Sequence, residues 1–200
     1  MICLTGDLHH QTLRTGNQLA CDITEIQAAQ KYNKKLAERG IKVTYFVSGK
    51  SFLEQADELK PISEANNVEI GGHNWSCFSP ALPHRIWKKL TCSYNGPLRV
   101  QQADAQRTMA IIKQHTGRDV LCWRNHMYMH GPYTEQALVA AGIKVCSDGV
   151  KAASVGPEWH PTGLMTLPLN IIPDHEHLYH AERTPSWVKW WQKRYNWSDD

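Results

Sequence analysis

The sequence lacks three features that would assign it to a special class of protein. No stretch approaches the ~20 consecutive apolar residues of a membrane-spanning helix, so we expect no membrane span. Met1 is followed directly by Ile-Cys-Leu-Thr, without the basic and apolar regions of a signal peptide. The six cysteines are dispersed and form no Cys-x-x-Cys pair. We therefore expect reduced thiols and a cytoplasmic protein.

The sequence also lacks a large excess of charge of either sign. It has 22 Lys and Arg against 19 Asp and Glu, which gives a net charge of +3, and the basic residues are scattered. A nucleic-acid-binding protein normally carries a stronger and more clustered positive charge. We therefore expect no nucleic-acid partner.

The composition is that of one globular domain covering residues 1–200. Hydrophobic residues make up 42% of the chain and charged residues 20%, which excludes collagen, coiled coil and wholesale disorder. A chain of this length buries roughly 70% of the surface of its unfolded form, so it needs no disulfide or metal to fold. Two residue types are unusually frequent, with 11 His and 8 Trp.

Segments with strand and helix patterns alternate along the chain. Apolar or β-branched runs predict strands at 2–5, 41–47, 68–70, 120–123, 143–146 and 164–169. Between them, the spacing predicts a helix from a capping box at Asp22 and Glu25 to Gly40, and further helices over 50–65, 97–117 and 134–141. We expect Pro61 to kink the second helix and residues 74–96 to form a loop. This alternation predicts an α/β fold with a parallel sheet covered by helices, either open or closed into a barrel.

Polar residues recur where the predicted strands end: Asp7, His73, Arg124 and Asp148. In parallel α/β folds the carboxyl ends of the strands lie at one edge, where chemistry gathers. This recurrence indicates an enzyme, without yet saying which one.

The local patterns around these residues leave alternatives open. Asp7 followed by His9 and His10 combines a general base with metal ligands, or it is a turn-capping Asp beside two surface histidines. His73 and Cys77 are four residues apart and together could bind zinc, but a free cysteine is more often a small buried hydrophobe. Arg124 can hold a carboxylate through two hydrogen bonds or form a surface salt bridge.

The C-terminal region holds two further clusters. Residues 174–180 contain the densest group of titratable side chains, which fits a metal site, a proton relay or a solvated loop. Half of the tryptophans lie in the last fourteen residues: Trp187, Trp190, Trp191 and Trp197. Such a cluster can stack on sugar rings or pack on apolar surface. We expect it to pack on an uncovered part of the fold or on a second copy of the chain, giving a homo-oligomer.

Taken in order, these segments resemble the polysaccharide deacetylase superfamily over residues 1–170. Thr5-Gly6-Asp7-Leu8-His9 is similar to the family's first motif, Thr-Phe-Asp-Asp-Gly or a variant with Asp-x-Asp. Residues 40–47 read Gly-Ile-Lys-Val-Thr-Tyr-Phe-Val, close to the family's second-strand phrase, and residues 72–77 resemble Gly-x-His-(Ser/Thr)-x-x-His. Arg124 and the helix ending Ala-Gly-Ile at 141–143 resemble the third motif.

This resemblance implies a distorted (β/α) barrel and a hydrolase that acts on amide bonds. The reaction would remove an acetyl group from an N-acetylated sugar or glycan precursor. It would use a divalent metal ion as cofactor, and zinc is the metal that we expect. Carried over by position, Asp7 is the catalytic base and Arg124 orients it. His9 and His73 are metal ligands, and the resemblance puts His126 and Asp148 in the substrate site.

The sequence departs from the family pattern at three points. Leu8 replaces the second Asp of the commonest first motif, and Cys77 replaces the second His of the second motif. The last motif, which carries the histidine that protonates the leaving amine, is absent. Either His175 or His177 takes that role, and we assign it to His175, or the barrel is incomplete. The departures keep two alternatives open: a non-catalytic carbohydrate-binding protein on the same fold, and an amidohydrolase of a non-sugar amide.

Overall fold

The computed structural model describes residues 3–10, 21–151, 154 and 156–170, together with positions 186, 189 and 193. Among these residues, seven strands form one sheet in the order β1-β2-β3-β4-β5-β7-β6. The strands are β1 (Thr5–Leu8), β2 (Val43–Val47), β3 (Val68–Gly72), β4 (Cys122–Trp123), β5 (Val145–Cys146), β6 (Glu158–Trp159) and β7 (Met165–Thr166). All neighbouring strands are parallel except β6, which pairs with β7 in the antiparallel direction.

Six α-helices lie among the same residues: α1 (Glu25–Ala37), α2 (Gly49–Glu54), α3 (Ala56–Ser63), α4 (Ala81–Thr91), α5 (Leu98–Thr116) and α6 (Thr134–Ala141). A short 3-10 helix at His126–Tyr128 follows β4. The sheet is not closed within the described residues, since β1 and β6 stand at its two ends. The predicted α/β class, with a mostly parallel sheet and helices packed on it, is confirmed.

The core is built where helices cover the parallel strands. Strand β2 is deeply buried between β1 and β3, with Val43, Tyr45, Phe46 and Val47 at most 3% exposed. Helix α1 buries Ile26, Ala29, Asn33 and Leu36, spaced three or four residues apart along one face. The apolar patterns that predicted these elements therefore reflect burial on the sheet.

The first helix begins differently from the prediction. Its capping box is formed by Thr24 and Gln27, not by Asp22 and Glu25. The Thr24 hydroxyl accepts from the Gln27 backbone N–H at 3.1 Å, and the Gln27 side-chain oxygen accepts from the Thr24 N–H at 3.2 Å. The Glu25 carboxylate takes no part in this capping box and instead accepts hydrogen bonds from the backbone N–H and Nδ1 of His9.

Two further predictions about helices are wrong. Residues 50–65 form two helices, because Gln55 adopts a non-helical conformation (φ −138°, ψ 34°), whereas Pro61 lies inside the second of them. The break lets α2 pack on α5 while α3 packs on α1. Residues 74–96 contain α4, which begins after Pro80 and accepts Pro83 because the first helical turn needs no N–H donor there.

Several boundaries agree with the sequence. Helix α5 begins directly after Pro97 and ends at Gly117 (φ 69°), and α6 spans the predicted residues and ends at Gly142 (φ 100°).

All six cysteines lie within the described residues and each is free. Within that part of the chain, no helix has both the length and the apolar character to cross a membrane. His175 and the four C-terminal tryptophans lie outside it.

Gly72 lies where β3 meets β4, opposite Trp123. A Cβ at this position would overlap the indole ring of Trp123, which is 1% exposed and has no room to move. We expect Gly72→Ala to lower the free energy of unfolding by about 1–3 kcal/mol in urea denaturation, as overpacking of a core does. The matched control is Gly156→Ala, because nothing lies within 4 Å of a Cβ at that position. Equal stability of the two variants would contradict the packing argument.

Candidate active site

The carboxyl ends of β1, β3 and β4 bring five of the predicted residues together. Asp7 lies in β1 and His9 follows it, His73 follows β3, and Arg124 and His126 follow β4. Their separation in the chain reaches 117 positions. These side chains meet at one edge of the sheet because the carboxyl ends of parallel strands lie at the same edge.

Arg124 is the best-anchored side chain of the site. It is 2% exposed, and its guanidinium donates to Asp7 Oδ1 at 2.8 Å and to Thr5 Oγ1 at 2.9 Å. It also donates to the carbonyl oxygen and the hydroxyl of Ser147, at 2.9 and 2.8 Å. The guanidinium carbon lies 4.4 Å from the centre of the Phe46 ring. Hydrogen bonds and packing together thus fix its position.

The short distance between Asp7 and Arg124 also constrains the curvature of the sheet. In a flat sheet, three strand spacings would separate β1 from β4 by about 14 Å. Side chains stand roughly perpendicular to a sheet, so they do not bridge such a distance sideways. The 2.8 Å contact therefore requires the sheet to curl, as the wall of a barrel does.

Three imidazole rings meet beside this ion pair. His9 Nε2 lies 3.2 Å from His73 Nε2 and 3.2 Å from His126 Nδ1, and His73 Nε2 lies 3.4 Å from His126 Nδ1. We call His9, His73 and His126 the imidazole cluster. A tetrahedral zinc site with Zn–N distances of 2.0–2.1 Å has edges of about 3.3–3.4 Å. The triangle of nitrogens therefore has the dimensions of a metal site.

The hydrogen bonds around the imidazole cluster determine where its protons lie. His73 Nδ1 is 2.8 Å from the carbonyl oxygen of Arg124, and His9 Nδ1 is 2.9 Å from Glu25 Oε2. Both partners only accept, so each Nδ1 carries the hydrogen and each Nε2 presents a lone pair. With neutral rings, the three facing nitrogens share at most one proton, which lies on His126. Such a set of lone pairs fits a bound cation.

Burial keeps two rings of the imidazole cluster uncharged. It lowers the pKa of His73 well below 6.5, with a further lowering from the charge of His9. Burial, together with the His73 and His9 charges, lowers the pKa of His126 to about 3. Burial also lowers the pKa of His9, but the hydrogen bond and charge of Glu25 outweigh it and leave the pKa raised. Neutral imidazole is the form that binds metals.

Cys77 is the fourth possible donor at this point. Its sulfur and the three imidazole nitrogens all lie within 4.8 Å of one another. The thiol donates to the carbonyl oxygen of His73 at 3.5 Å, and burial raises its pKa well above the usual value. Cys77 is therefore a thiol without a cation, whereas metal coordination would deprotonate it.

The loop after β3 is clamped to its surroundings by Asn74 and Asp104. Asn74 adopts a left-handed conformation (φ 56°), and its side-chain oxygen accepts from the His126 backbone N–H at 2.8 Å. Its amide donates to Asp104 Oδ2 at 3.0 Å, and the Trp75 N–H donates to the same carboxylate at 3.1 Å. Asp104 thus reaches from α5 to position the loop that carries His73 and, through Asn74, the backbone of His126.

Asp148 lies beneath the site and not in an open pocket. Its side chain is 1% exposed and accepts from the Asn125 N–H at 2.7 Å and from His130 Nε2 at 2.8 Å. The Cys146 thiol donates to the same carboxylate at 3.3 Å. The ligand atoms of His130, Cys146 and Asp148 lie close enough to hold a metal, but these hydrogen bonds already account for their approach.

The sequence reasoning missed four members of the site: Glu25, Asn74, Asp104 and His130. The position of Glu25 at a helix start suggested a cap, and its pairing with His9 depends on the path of the intervening chain. Asp104 carried one signal, because it is an acidic residue on a helix face that otherwise packs inward. The predicted acid His175 lies outside the described residues.

A curled parallel sheet with converging imidazoles and a buried arginine at its carboxyl edge defines an α/β protein with a candidate metal centre. The family model described as polysaccharide deacetylase matches residues 22–146. The chain belongs to the polysaccharide deacetylase family. Among curated proteins, no sequence matches closely enough to count as a relative.

Solved structures with a similar fold have low sequence identity. A protein from Mycobacterium smegmatis assigned as a polysaccharide deacetylase is 18% identical, with a TM-score of 0.61 over 84% of this chain. PuuE allantoinase is 12% identical, with a TM-score of 0.61 over 97% of this chain and 70% of its own. A CE4 family pseudoenzyme from Bacillus anthracis is 18% identical, with a TM-score of 0.51 over 73% of this chain. This chain spans 57% of the Mycobacterium protein and 42% of the pseudoenzyme.

The two carboxylates around His130 generate a prediction about pH. Burial lowers the pKa of His130, but hydrogen bonds and charges from Asp148 and Glu135 outweigh it and raise the pKa above 6.5. The stabilisation is complete below pH 6.5 and is lost as the pH rises through the raised pKa. We therefore expect His130→Gln to destabilise the protein more at about pH 5.5 than at about pH 9 in urea denaturation.

The control for this prediction is His160→Gln, because the His160 ring hydrogen-bonds to Thr162. Its effect on stability should not follow the same pH trend. If the difference in the free energy of unfolding between wild type and His130→Gln stays constant or grows with pH, His130 is not stabilised as a cation by Asp148 and Glu135.

Proposed function

We propose that the protein is a metal-dependent hydrolase that removes an acetyl group from an N-acetylated sugar or glycan precursor. One observation carries the proposal: three imidazoles direct ring nitrogens at one point, two of them kept neutral by burial, beside a carboxylate held by a buried arginine. Membership of the polysaccharide deacetylase family supports this reaction class. This chain spans 57% of the length of the Mycobacterium protein. An acetylated sugar as the substrate is therefore proposed for this chain and is not inferred from that protein.

In this proposal the imidazole cluster holds the metal. His9 and His73 keep the role that the family resemblance implies, and His126 joins them as the third ligand instead of lining the substrate site. A divalent ion held there, zinc in the first place, would polarise the acetyl carbonyl and lower the pKa of a water molecule. Glu25 and the carbonyl of Arg124 orient two of the rings, as the outer partners of metal-binding histidines do.

Asp7 is the proposed general base, which takes a proton from the attacking water. Its side chain is 22% exposed, so solvent reaches it, while Arg124 holds Oδ1 on its buried side. The ion pair fixes the direction of the carboxylate, which a base needs in order to abstract one particular proton. The leaving-group acid stays a prediction at His175. Asp148 stays a prediction for the substrate site, although its hydrogen bonds also fit support of Asn125.

A non-catalytic carbohydrate-binding role is the second candidate. Cys77 favours it, because a fourth protein ligand would close the metal site, and closed sites are structural in other proteins. The similar fold of a CE4 family pseudoenzyme is consistent with that outcome. An amidohydrolase of a non-sugar amide is the third candidate, since PuuE allantoinase has a similar fold.

Metal content tests the assignment of His126. We expect one divalent ion per chain in the wild type by elemental analysis after dialysis. His126→Ala should weaken binding by more than the roughly 10–100-fold that loss of an outer partner causes. The control is His160→Ala, which removes an imidazole bonded to Thr162. If His126→Ala binds metal as tightly as the wild type, the third ligand is wrong.

Acetate release from a panel of N-acetyl sugars tests the reaction and the base. Asp7→Asn keeps an oxygen for Arg124 but cannot take a proton, so we expect turnover to fall about 10²–10⁴-fold with metal content unchanged. Asp119→Asn, at an exposed ion pair with Lys113, is the matched control. Sugar binding without acetate release in the wild type would establish the non-catalytic candidate. Release from simple amides but not from sugars would establish the third.

A further inference from the structure

Helix α4 has no buried residue. It contacts the rest of the protein through His84, Trp87 and Thr91, which are half-buried on one side. The ring of His84 hydrogen-bonds to the Tyr94 carbonyl oxygen at 2.8 Å and lies 5.0 Å from the Phe78 ring. The remaining residues of the helix face solvent.

The outward side of α4 carries an apolar stripe, which we define as Leu82, Ile86 and Leu90. Their exposed fractions are 68%, 48% and 71%. The spacing of four residues places them in one row along the helix. An apolar row normally faces the core, and exposed contiguous apolar surface marks an interaction site.

A basic edge runs beside the apolar stripe. Arg85, Lys88 and Lys89 are exposed and lie on the same helix. Counting Arg99, residues 70–103 contain four Lys or Arg and no Asp or Glu, whereas the whole chain has a net charge of +3. None of the four pairs with a carboxylate of the described residues, and Lys88 lies over the Tyr94 ring at 5.2 Å.

We propose that α4 docks on an anionic lipid surface. The apolar stripe enters the boundary between headgroups and acyl chains, and the basic edge binds anionic headgroups. Exposed leucine and isoleucine beside unpaired lysine and arginine is the composition of helices that lie in the membrane interface. The charge favours this occupant over a second copy of the chain, because two copies meeting at this face would bring like charges together.

The position of α4 connects this surface to the candidate active site. The Phe78 ring lies between them, 5.0 Å from the ring of His84 on the helix and 5.3 Å from the ring of His126 in the imidazole cluster. Docking would hold the imidazole cluster beside the lipid surface. The proposal goes beyond the proposed function and does not depend on it, because the proposed function gives no role to these surface residues.

Sedimentation with lipid vesicles tests the proposal on the full chain. We expect the wild type to bind vesicles of phosphatidylcholine that contain about 30% phosphatidylglycerol. Binding to pure phosphatidylcholine should be weaker by about tenfold or more, because the attraction to anionic headgroups is lost. Leu82→Ser with Leu90→Ser, and separately Lys88→Gln with Lys89→Gln, should each weaken binding about tenfold or more. Circular dichroism checks that each variant keeps its fold.

The matched controls are Leu53→Ser, at an exposed leucine of α2, and Lys31→Gln, at an exposed lysine of α1. Both should bind as the wild type does. Three results would each overturn the proposal. These are no binding to either vesicle, binding that is unchanged by loss of the leucines, and a dimer by light scattering that the Leu82 and Leu90 substitutions dissociate.

Discussion

The ion pair between Arg124 and Asp7 is the contact on which the rest of the site depends. It joins the first strand to the fourth, and the same guanidinium binds Ser147 after the fifth strand. A single buried cation therefore holds the carboxyl ends of the sheet in a curl. The backbone of the same residue acts as well, because its carbonyl fixes the ring of His73. Curvature, orientation of the base and orientation of one imidazole thus share one residue.

Two effects with opposite influence on histidine charge act within the imidazole cluster. Burial makes charged rings unfavourable, which keeps His73 and His126 neutral, while Glu25 stabilises the charged form of His9. The first effect leaves a lone pair on Nε2 of His73, and the hydrogen bond from His9 Nδ1 to Glu25 fixes the direction of the His9 ring. Asp104 contributes from a different helix, by holding the loop that separates His73 from α4. The geometry of the cluster is therefore maintained by residues that do not belong to it.

The sequence predicted those parts of the structure that depend on local pattern. The strands predicted over 41–47 and 68–70 are observed as Val43–Val47 and Val68–Gly72, and they follow from apolar spacing. The limits of α5 follow from its flanking proline and glycine, and the placement of Asp7, His73 and Arg124 near strand ends follows from parallel topology. The pair of Asp7 and Arg124 followed from the family resemblance. The pairs of Glu25 with His9 and of Asp104 with Asn74 depend on the course of the intervening chain and could not be predicted from local pattern. His126 stands in the third family motif, so the resemblance suggested substrate, yet the turn after β4 directs its Nδ1 toward His9 and His73. Helix α4 was missed because Pro80 and Pro83 favoured a loop, although the four-residue spacing of Leu82, Ile86 and Leu90 was a helical signal.

The imidazole cluster also has a consequence for chain entropy. It joins three points of the chain that are separated by 64, 53 and 117 positions, in a protein whose six cysteines are all free. A cation bound by the three rings would stabilise the folded state, because the unfolded chain would have to close two long loops to bring the rings together. Closing loops of such length costs chain entropy, so the unfolded chain would bind the cation far more weakly than the folded protein does. In the described part of the chain, where the sheet is open and each cysteine is free, the same three rings would then hold distant segments together as well as form a candidate reaction centre.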